Sequence, residues 1–296
     1  MHLFSIMSYI EPGIFIRHYP TGEPVPVIFD SPHSGADYPG DFRHACPSKL
    51  LRQAEDAHVD ALYDAAPRSG ATLIAALFPR SYIDVNRSIE DIDLQLLDQP
   101  WPGPVSASDR SRVGMGLVRR ICRPGLQMYD RKLSVAEIKN RIDRYYQPYH
   151  MAVADAIDQA TSRFGAAWHI NCHSMPSSRG PRIPVSGWER ADFVLGDRDG
   201  TTCGIGFRRL VQGTLERLGY DVRINDPYKG VELVRRFGRP NLGQHSLQIE
   251  VNRRLYMNEE TLIPNEGYAR LKRDLDILVA SIAAYARDQL TAAAAD

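Results

Sequence analysis

Four separated stretches of this 296-residue chain place polar side chains of catalytic type where apolar, strand-like runs stop. His33 follows VPVIFDSP; Asp84, Asn86 and Arg87 lie in RSYIDVNRS; His173 follows AAWHINC; and Glu250 closes HSLQIE. Ligands and catalytic groups of an open α/β sheet collect beyond the carboxyl ends of its strands, so these residues point to one shared pocket. Imidazole, guanidinium and carboxylate brought together in this way are the parts of a metal-dependent amide hydrolase.

His33 precedes Ser34 and Gly35, where the chain can turn sharply and present the imidazole at the sheet edge. His173 repeats the pattern and is again followed by a serine. Two histidines leave a catalytic zinc one ligand short, because such a site takes three protein ligands and keeps a position for water. The stretch LRQAEDAHVDALYD supplies the third. Read as a helix, it puts Asp56 and Asp60 on one face, with His58 about 200° around from Asp56. Asp56 is the expected ligand, with Glu55, His58 and Asp60 as competitors. The plainer alternative for each of these acids is a helix charge facing solvent or the dipole. A histidine and carboxylate set suits one divalent ion, zinc before manganese or iron.

Arg80 and Arg87 lie seven residues apart, read as spanning a strand and its exit. A guanidinium grips a carboxylate through two parallel hydrogen bonds and can stabilise an oxyanion, so the pair beside a metal suggests an acidic substrate. The alternative is a structural salt bridge with Asp84. Glu250 sits among apolar residues of a buried strand, where desolvation raises a carboxyl pKa and suits a general base. Its alternative is a pairing with an arginine such as Arg253.

The elements that must position these groups alternate. Strand candidates are VPVIF, ATLIAAL with YIDV, AAWHIN, DFVLG, YDVRIN and SLQIEV; helix candidates span 47–66, 136–164, 204–218 and 265–289. That order predicts a mixed or parallel sheet covered on both faces. Residues 88–129, rich in Pro, Gly, Asp and Arg, read as a long loop or lid. The chain is expected to be one domain over 1–296, with 1–10 and 290–296 as peripheral tails and Met7 as a second candidate start. Lys plus Arg equals Asp plus Glu at 36 each, so no long-range field recruits nucleic acid or an anionic membrane. No apolar run reaches the roughly 18 residues of a membrane span, and four scattered cysteines without a CxxC pair suit reduced thiols in the cytoplasm.

SPHSGADYP, DAHVDALYD, RSYIDVNRS, NCHSMPS, VLGDRDGTTCG, NDPYKG with RRFGRP, and QIEVNRRLYM occur in that order. Together they resemble the N-formylglutamate amidohydrolase family from the first strand to Met257. The resemblance implies a three-layer α/β/α fold with a mixed sheet, similar to zinc carboxypeptidases and to aspartoacylase. It implies His33 and His173 as metal ligands, Asn86 and Arg87 as binders of the substrate carboxylate, Arg80 as stabiliser of the tetrahedral intermediate and Glu250 as base. Carboxypeptidase-like sites carry a glutamate three residues after the first histidine, where this chain has Ala36, which is why Asp56 is considered. Members tied to histidine degradation carry an aspartate before the second histidine and a KGG string, where this chain has Cys172 and KGVEL.

The implied reaction is hydrolysis of N-formyl-L-glutamate to formate and L-glutamate by a metal-activated water. A related N-acyl amino acid deacylase, a carboxypeptidase-like hydrolase, and a non-catalytic binder of small carboxylates are the rival readings. Oligomeric state is not readable from the sequence.

Overall fold

The computed structural model describes residues 7–177 and 191–293. Ten strands lie among them. They are β1 (Ser8–Glu11), β2 (Phe15–His18), β3 (Val27–Ser31), β4 (Thr72–Ala76), β5 (Ile121–Arg123), β6 (Leu126–Gln127), β7 (Ala167–Met175), β8 (Phe193–Gly196), β9 (Val222–Ile224) and β10 (Gln244–Asn252). Eight form one sheet in the order β1-β2-β4-β3-β7-β10-β8-β9, and β5 and β6 pair separately. The centre from β4 to β10 is parallel, and antiparallel pairings join β1 to β2, β2 to β4 and β10 to β8. The sheet is mixed, as expected.

The helices are α1 (Ser48–Arg52), α2 (Val59–Leu62), α3 (Asp109–Arg112), α4 (Val135–Arg141), α5 (Gln147–Phe164), α6 (Ile205–Arg217), α7 (Glu232–Phe237) and α8 (Tyr268–Ala293). A π-helical turn, Ile142–Tyr146, joins α4 to α5. Ser134 opens α4 with a capping box closed by Glu137, worth about 1 kcal/mol. Val59, Leu62, Phe207, Val211, Leu275 and Leu278 of α2, α6 and α8 pack on one sheet face, against Phe29, Ile170 and Ile249. Ile138, Tyr149, Val153 and Ile157 of α4 and α5 pack on the other, against Ile28 and Ile74. Two apolar layers on opposite faces make the fold a three-layer α/β/α arrangement. No helix among the described residues is long and apolar enough to cross a membrane.

The two central strands carry the site because their faces differ. In β7, Trp168, Ile170 and Cys172 enter the α8-side core, while His169, Asn171 and His173 alternate to the opposite face. In β10, Leu247, Ile249 and Val251 enter the same core, leaving Ser246, Gln248 and Glu250 to the other face. Parallel register sets His169 beside Ser246, Asn171 beside Gln248 and His173 beside Glu250. Burying such a polar row is costly unless its groups find partners, and all but Gln248 Oε1 do. His169 Nδ1 lies 2.7 Å from Ser246 Oγ, and His169 Nε2 lies 2.8 Å from Asp30 Oδ1.

Several expectations need correction. The helix expected over 47–66 is broken: α1 ends at Arg52, α2 starts at Val59, and His58 at its N-cap has φ 67°. A left-handed residue is incompatible with a continuous helix. Asp56 therefore lies in the break rather than on a helical face with Asp60. Residues Tyr82 to Val85 are not a strand, because Asp84 accepts the backbone N–H of Asn86 at 3.0 Å and folds the segment into a turn. Arg80 and Arg87 thus flank a turn. Conversely, β7 and β10 run past His173 and Glu250, which sit inside strands and not beyond their ends. Within the expected tails, β1 forms the sheet's edge and α8 continues to Ala293; residues 1–6 and 294–296 lie outside the described residues.

Candidate active site

The exit of β3 places His33. Gly35 follows it against the chain leaving β4, where a Cβ would stand 2.4 Å from Leu77 C and Phe78 O, so a side chain at 35 would push the exit loop outward. The backbone N–H of Asp56 donates to His33 O at 2.9 Å, which ties the α1–α2 break to the β3 exit. His173 arrives from β7. His33 Nδ1, Asp56 Oδ2 and His173 Nδ1 then converge: Asp56 Oδ2 lies 3.3 Å from the first imidazole and 3.0 Å from the second. Suitable donor atoms of the three buried residues all fall within 4.8 Å of one another, so the group could hold a metal ion.

The outward nitrogens are fixed by acceptors. His33 Nε2 donates to Asp84 Oδ1 at 2.7 Å. Asn171 Nδ2 is committed to Asp30 at 2.9 Å, so Asn171 Oδ1 is the acceptor that takes the Nε2–H of His173 at 2.7 Å. Both imidazoles therefore turn Nδ1 toward Asp56, which is how outer hydrogen bonds select the coordinating nitrogen of a histidine. His33 Nδ1 is buried and makes no hydrogen bond, the environment expected of a ligand atom aimed at a cation. Two nitrogens and one carboxylate oxygen suit a catalytic divalent site with a position left for water.

Asp56 also ion-pairs with Arg253 Nη2 at 2.9 Å. Burial raises its carboxyl pKa, but the adjoining imidazoles of His173 and His33 and the charge of Arg80 outweigh burial and hold it well below the ordinary range. The competitors are engaged elsewhere. Glu55 accepts from Tyr38 Oη at 2.6 Å, and His58 Nε2 lies 2.8 Å from Leu262 O. Asp60 belongs to α2, beyond the break.

Asp84 gathers the neighbouring cations. Arg80 contacts it through Nη2 at 2.8 Å and Nε at 3.2 Å, and Arg87 Nε stands 4.0 Å away. Burial opposes ionisation of Asp84, yet the charge of Arg80 and the hydrogen bond from His33 keep it well below the usual carboxylate pKa. The structural salt bridge weighed for Arg80 therefore exists. It orients the guanidinium, whose Nη1 also reaches within 3.8 Å of Asp56 Oδ1. Arg87 has a buried Nε without a hydrogen-bond partner.

Asn86 is held by the framework. Its Oδ1 accepts the Leu233 N–H at 2.9 Å, while its Nδ2 lies 3.4 Å from Asn171 Oδ1 and 3.0 Å from His173 Nε2. Glu250, across from His173, receives one hydrogen bond from Gln248 Nε2 at 3.0 Å. The pairing with Arg253 considered for it is replaced by the Arg253–Asp56 pair. Burial pushes the Glu250 carboxyl above its ordinary pKa; His173 pulls it down, Asp56 adds to the rise, and Arg80 and Arg253 oppose.

A cleft of about 420 Å³ opens over these groups, lined by His33, His173, Glu250, Arg80, Asn86 and Arg87 among others. Part of its wall is Arg110, Met115, Arg119, Cys122 and Arg123, from the 88–129 segment. That segment is tied down, since Asp84 N donates to Leu117 O at 2.8 Å and Leu117 N to Asp91 O at 2.9 Å. A family model described as N-formylglutamate amidohydrolase matches residues 25–257.

The chain belongs to the N-formylglutamate amidohydrolase family.

A solved N-formylglutamate amidohydrolase from Ralstonia eutropha JMP134 is 50% identical to it with a TM-score of 0.90, covering 94% of this chain and 99% of that one. N-formylglutamate deformylase from Pseudomonas putida is 27% identical over 240 residues, 79% of this chain and 83% of that protein. The Pseudomonas aeruginosa deformylase is 26% identical over 246 residues, 80% and 84% of the two. Family membership makes the chain a hydrolase acting on an amide.

Of the seven residues expected at the site from the sequence, His33, Arg80, Asn86, Arg87, His173 and Glu250 line this cleft, and Asp56 lies buried behind it against the two imidazoles. Asn171, Asp30 and Arg119 were not anticipated. Asn171 carried a signal, since HINCHS alternates polar and apolar residues with the period of a strand. Arg119 carried none, because it is one arginine of many in an irregular segment.

Proposed function

We propose that this protein hydrolyses the formyl amide of N-formyl-L-glutamate, releasing formate and L-glutamate. The observation that carries the reading is the convergence of His33 Nδ1, His173 Nδ1 and the Asp56 carboxylate beneath a buried Glu250 and a wall of guanidinium groups. Names borne by the relatives supply the substrate; the site supports the chemistry.

His33, Asp56 and His173 would hold one divalent ion, zinc by donor type. When bound, such an ion polarises an amide oxygen and lowers the pKa of water. Glu250 removes a proton from the water that attacks the formyl carbon, a task suited to a carboxylate whose pKa burial has raised. The new C–O bond pushes charge onto the formyl oxygen, and Arg80, held by Asp84, meets that charge. Glu250 then passes its proton to the amide nitrogen, the C–N bond breaks, and formate and the free amine leave. Arg87, which lines the cleft, receives a substrate carboxylate through its guanidinium, with Asn86 beside it on the same wall.

Comparing N-formyl-L-glutamate, N-formyl-L-aspartate and N-acetyl-L-glutamate as substrates tests the assignment. The highest kcat/KM is expected for the first, and a clear preference for the acetyl compound would move the protein to general deacylation.

A further inference from the structure

Arg119 and Arg120 are consecutive, yet they are placed differently. Arg120 Nε pairs with Asp93 Oδ2 at 2.7 Å, away from the site. Arg119 turns into the catalytic cleft. There its Nε is buried without a hydrogen-bond partner, and among the described residues no carboxylate lies within ion-pair distance of it. Its backbone is clamped by a bridge to Met115, and the adjoining Leu117 and Val118 are buried, so the point from which the side chain enters the cleft is fixed. The acids nearest the site are already committed: Asp84 to Arg80 and His33, and Asp56 to Arg253 and the imidazoles. Burial, then the repulsion of Arg80, pulls the Arg119 pKa down to about 9, which leaves a cation at neutral pH in need of a counter-charge. A guanidinium in a reaction cleft, with a buried Nε and no acid of the protein paired to it, is a built receptor for an anionic group of the ligand.

We propose that Arg119 receives the second carboxylate of the substrate and thereby sets the preference for a dicarboxylic over a monocarboxylic N-formyl amino acid. The proposal rests on the deformylase reading and deepens it. Arg87, beside Asp84 at the metal-ligand end, takes one carboxylate, and Arg119 on the 88–129 wall takes the other. The long segment is then a specificity wall, with Arg119 as its charged contact.

The test is a matched pair of substrates, N-formyl-L-glutamate and N-formyl-L-glutamine, which have nearly the same shape and differ in side-chain charge. They are assayed with the metal-loaded wild type, Arg119→Leu and Arg119→Lys. For Arg119→Leu, kcat/KM with N-formyl-L-glutamate is expected to fall about 100-fold, mostly through KM, with the glutamine compound changed less than about threefold and partial recovery in Arg119→Lys. Equal losses on both substrates, or none on either, overturn the proposal. If the wild type deformylates neither compound, the functional reading fails, and calorimetric binding of glutarate against butyrate decides Arg119 separately. A preference for glutarate that disappears in Arg119→Leu upholds the carboxylate receptor; no preference, or one that survives the substitution, overturns it.

Discussion

Glu250 on β10 stands beside His173 on β7 in parallel register, so the proposed base and one proposed metal ligand sit on adjacent central strands with their side chains on the same sheet face. Their spacing is set by the sheet and not by a loop. A proton acceptor and a cation site fixed in this way need little rearrangement when substrate arrives.

Glu250→Gln removes the base while keeping the side chain's size and its place beside Gln248. A drop in kcat of about 10² to 10⁴ is expected, with KM and metal content close to wild type. The base works ionised, so activity should rise with pH as Glu250 deprotonates and be lost as pH falls. Because burial raises its pKa, that acid limb in kcat/KM is expected above the ordinary glutamate value of 4.5. A pH profile of the wild type and the variant checks both points, since the limb should vanish from the residual activity of Glu250→Gln.

Asp84 acts through His33. Asp84→Asn weakens the acceptor that directs His33 Nε2 outward and leaves Arg80 without its nearer ion-pair partner. Metal affinity is expected to fall about 10- to 100-fold, read by competition with a chromophoric chelator. Unchanged affinity would mean that His33 is oriented without Asp84.

Arg87→Ala leaves the proposed water, base and cation in place and removes a charge that meets substrate. KM should rise about 30-fold or more, with kcat within a few-fold of wild type. A fall in kcat at unchanged KM would place Arg87 on the reacting centre instead.

Asp30 lies behind Asn171, accepting from His169, Asn171 and Tyr149. Burial raises its pKa, but the charge and hydrogen bond of His169, with the Asn171 hydrogen bond, carry it below the ordinary carboxylate value. A depressed folded pKa contributes stability that is present above the unfolded pKa of 3.8 and is lost as pH falls through the folded one. Asp30→Ala should therefore cost about 3–5 kcal/mol near neutral pH, and the gap to wild type should narrow below about pH 4. Denaturant unfolding across that range measures it.

The layered fold and the cluster of site residues were legible because they rest on patterns a strand imposes. Apolar runs marked the central strands, and polar residues within or just after them marked the cleft. What escaped was decided by tertiary partners. A continuous helix puts Asp56 on a helical face, yet it reaches the site from a helix break, marked by the left-handed His58 and held by its own N–H bonded to His33 O. The polar alternation of β7 and β10 was in view, but reading the polar residues as strand ends hid Asn171 and Gln248, which continue the same face. The fate of Arg119 depended on which of two adjacent arginines Asp93 would take, and no local pattern encodes that.

The central claim is a metal-dependent deformylation centred on His33, Asp56 and His173. The most direct measurement is formate release from N-formyl-L-glutamate by zinc-loaded protein, chelator-stripped protein and stripped protein given zinc back, alongside an Asp56→Ala variant. Release that disappears on stripping, returns with zinc in the wild type and does not return in Asp56→Ala is the predicted result. Formate release that persists at full rate without metal, or in Asp56→Ala, would contradict the account.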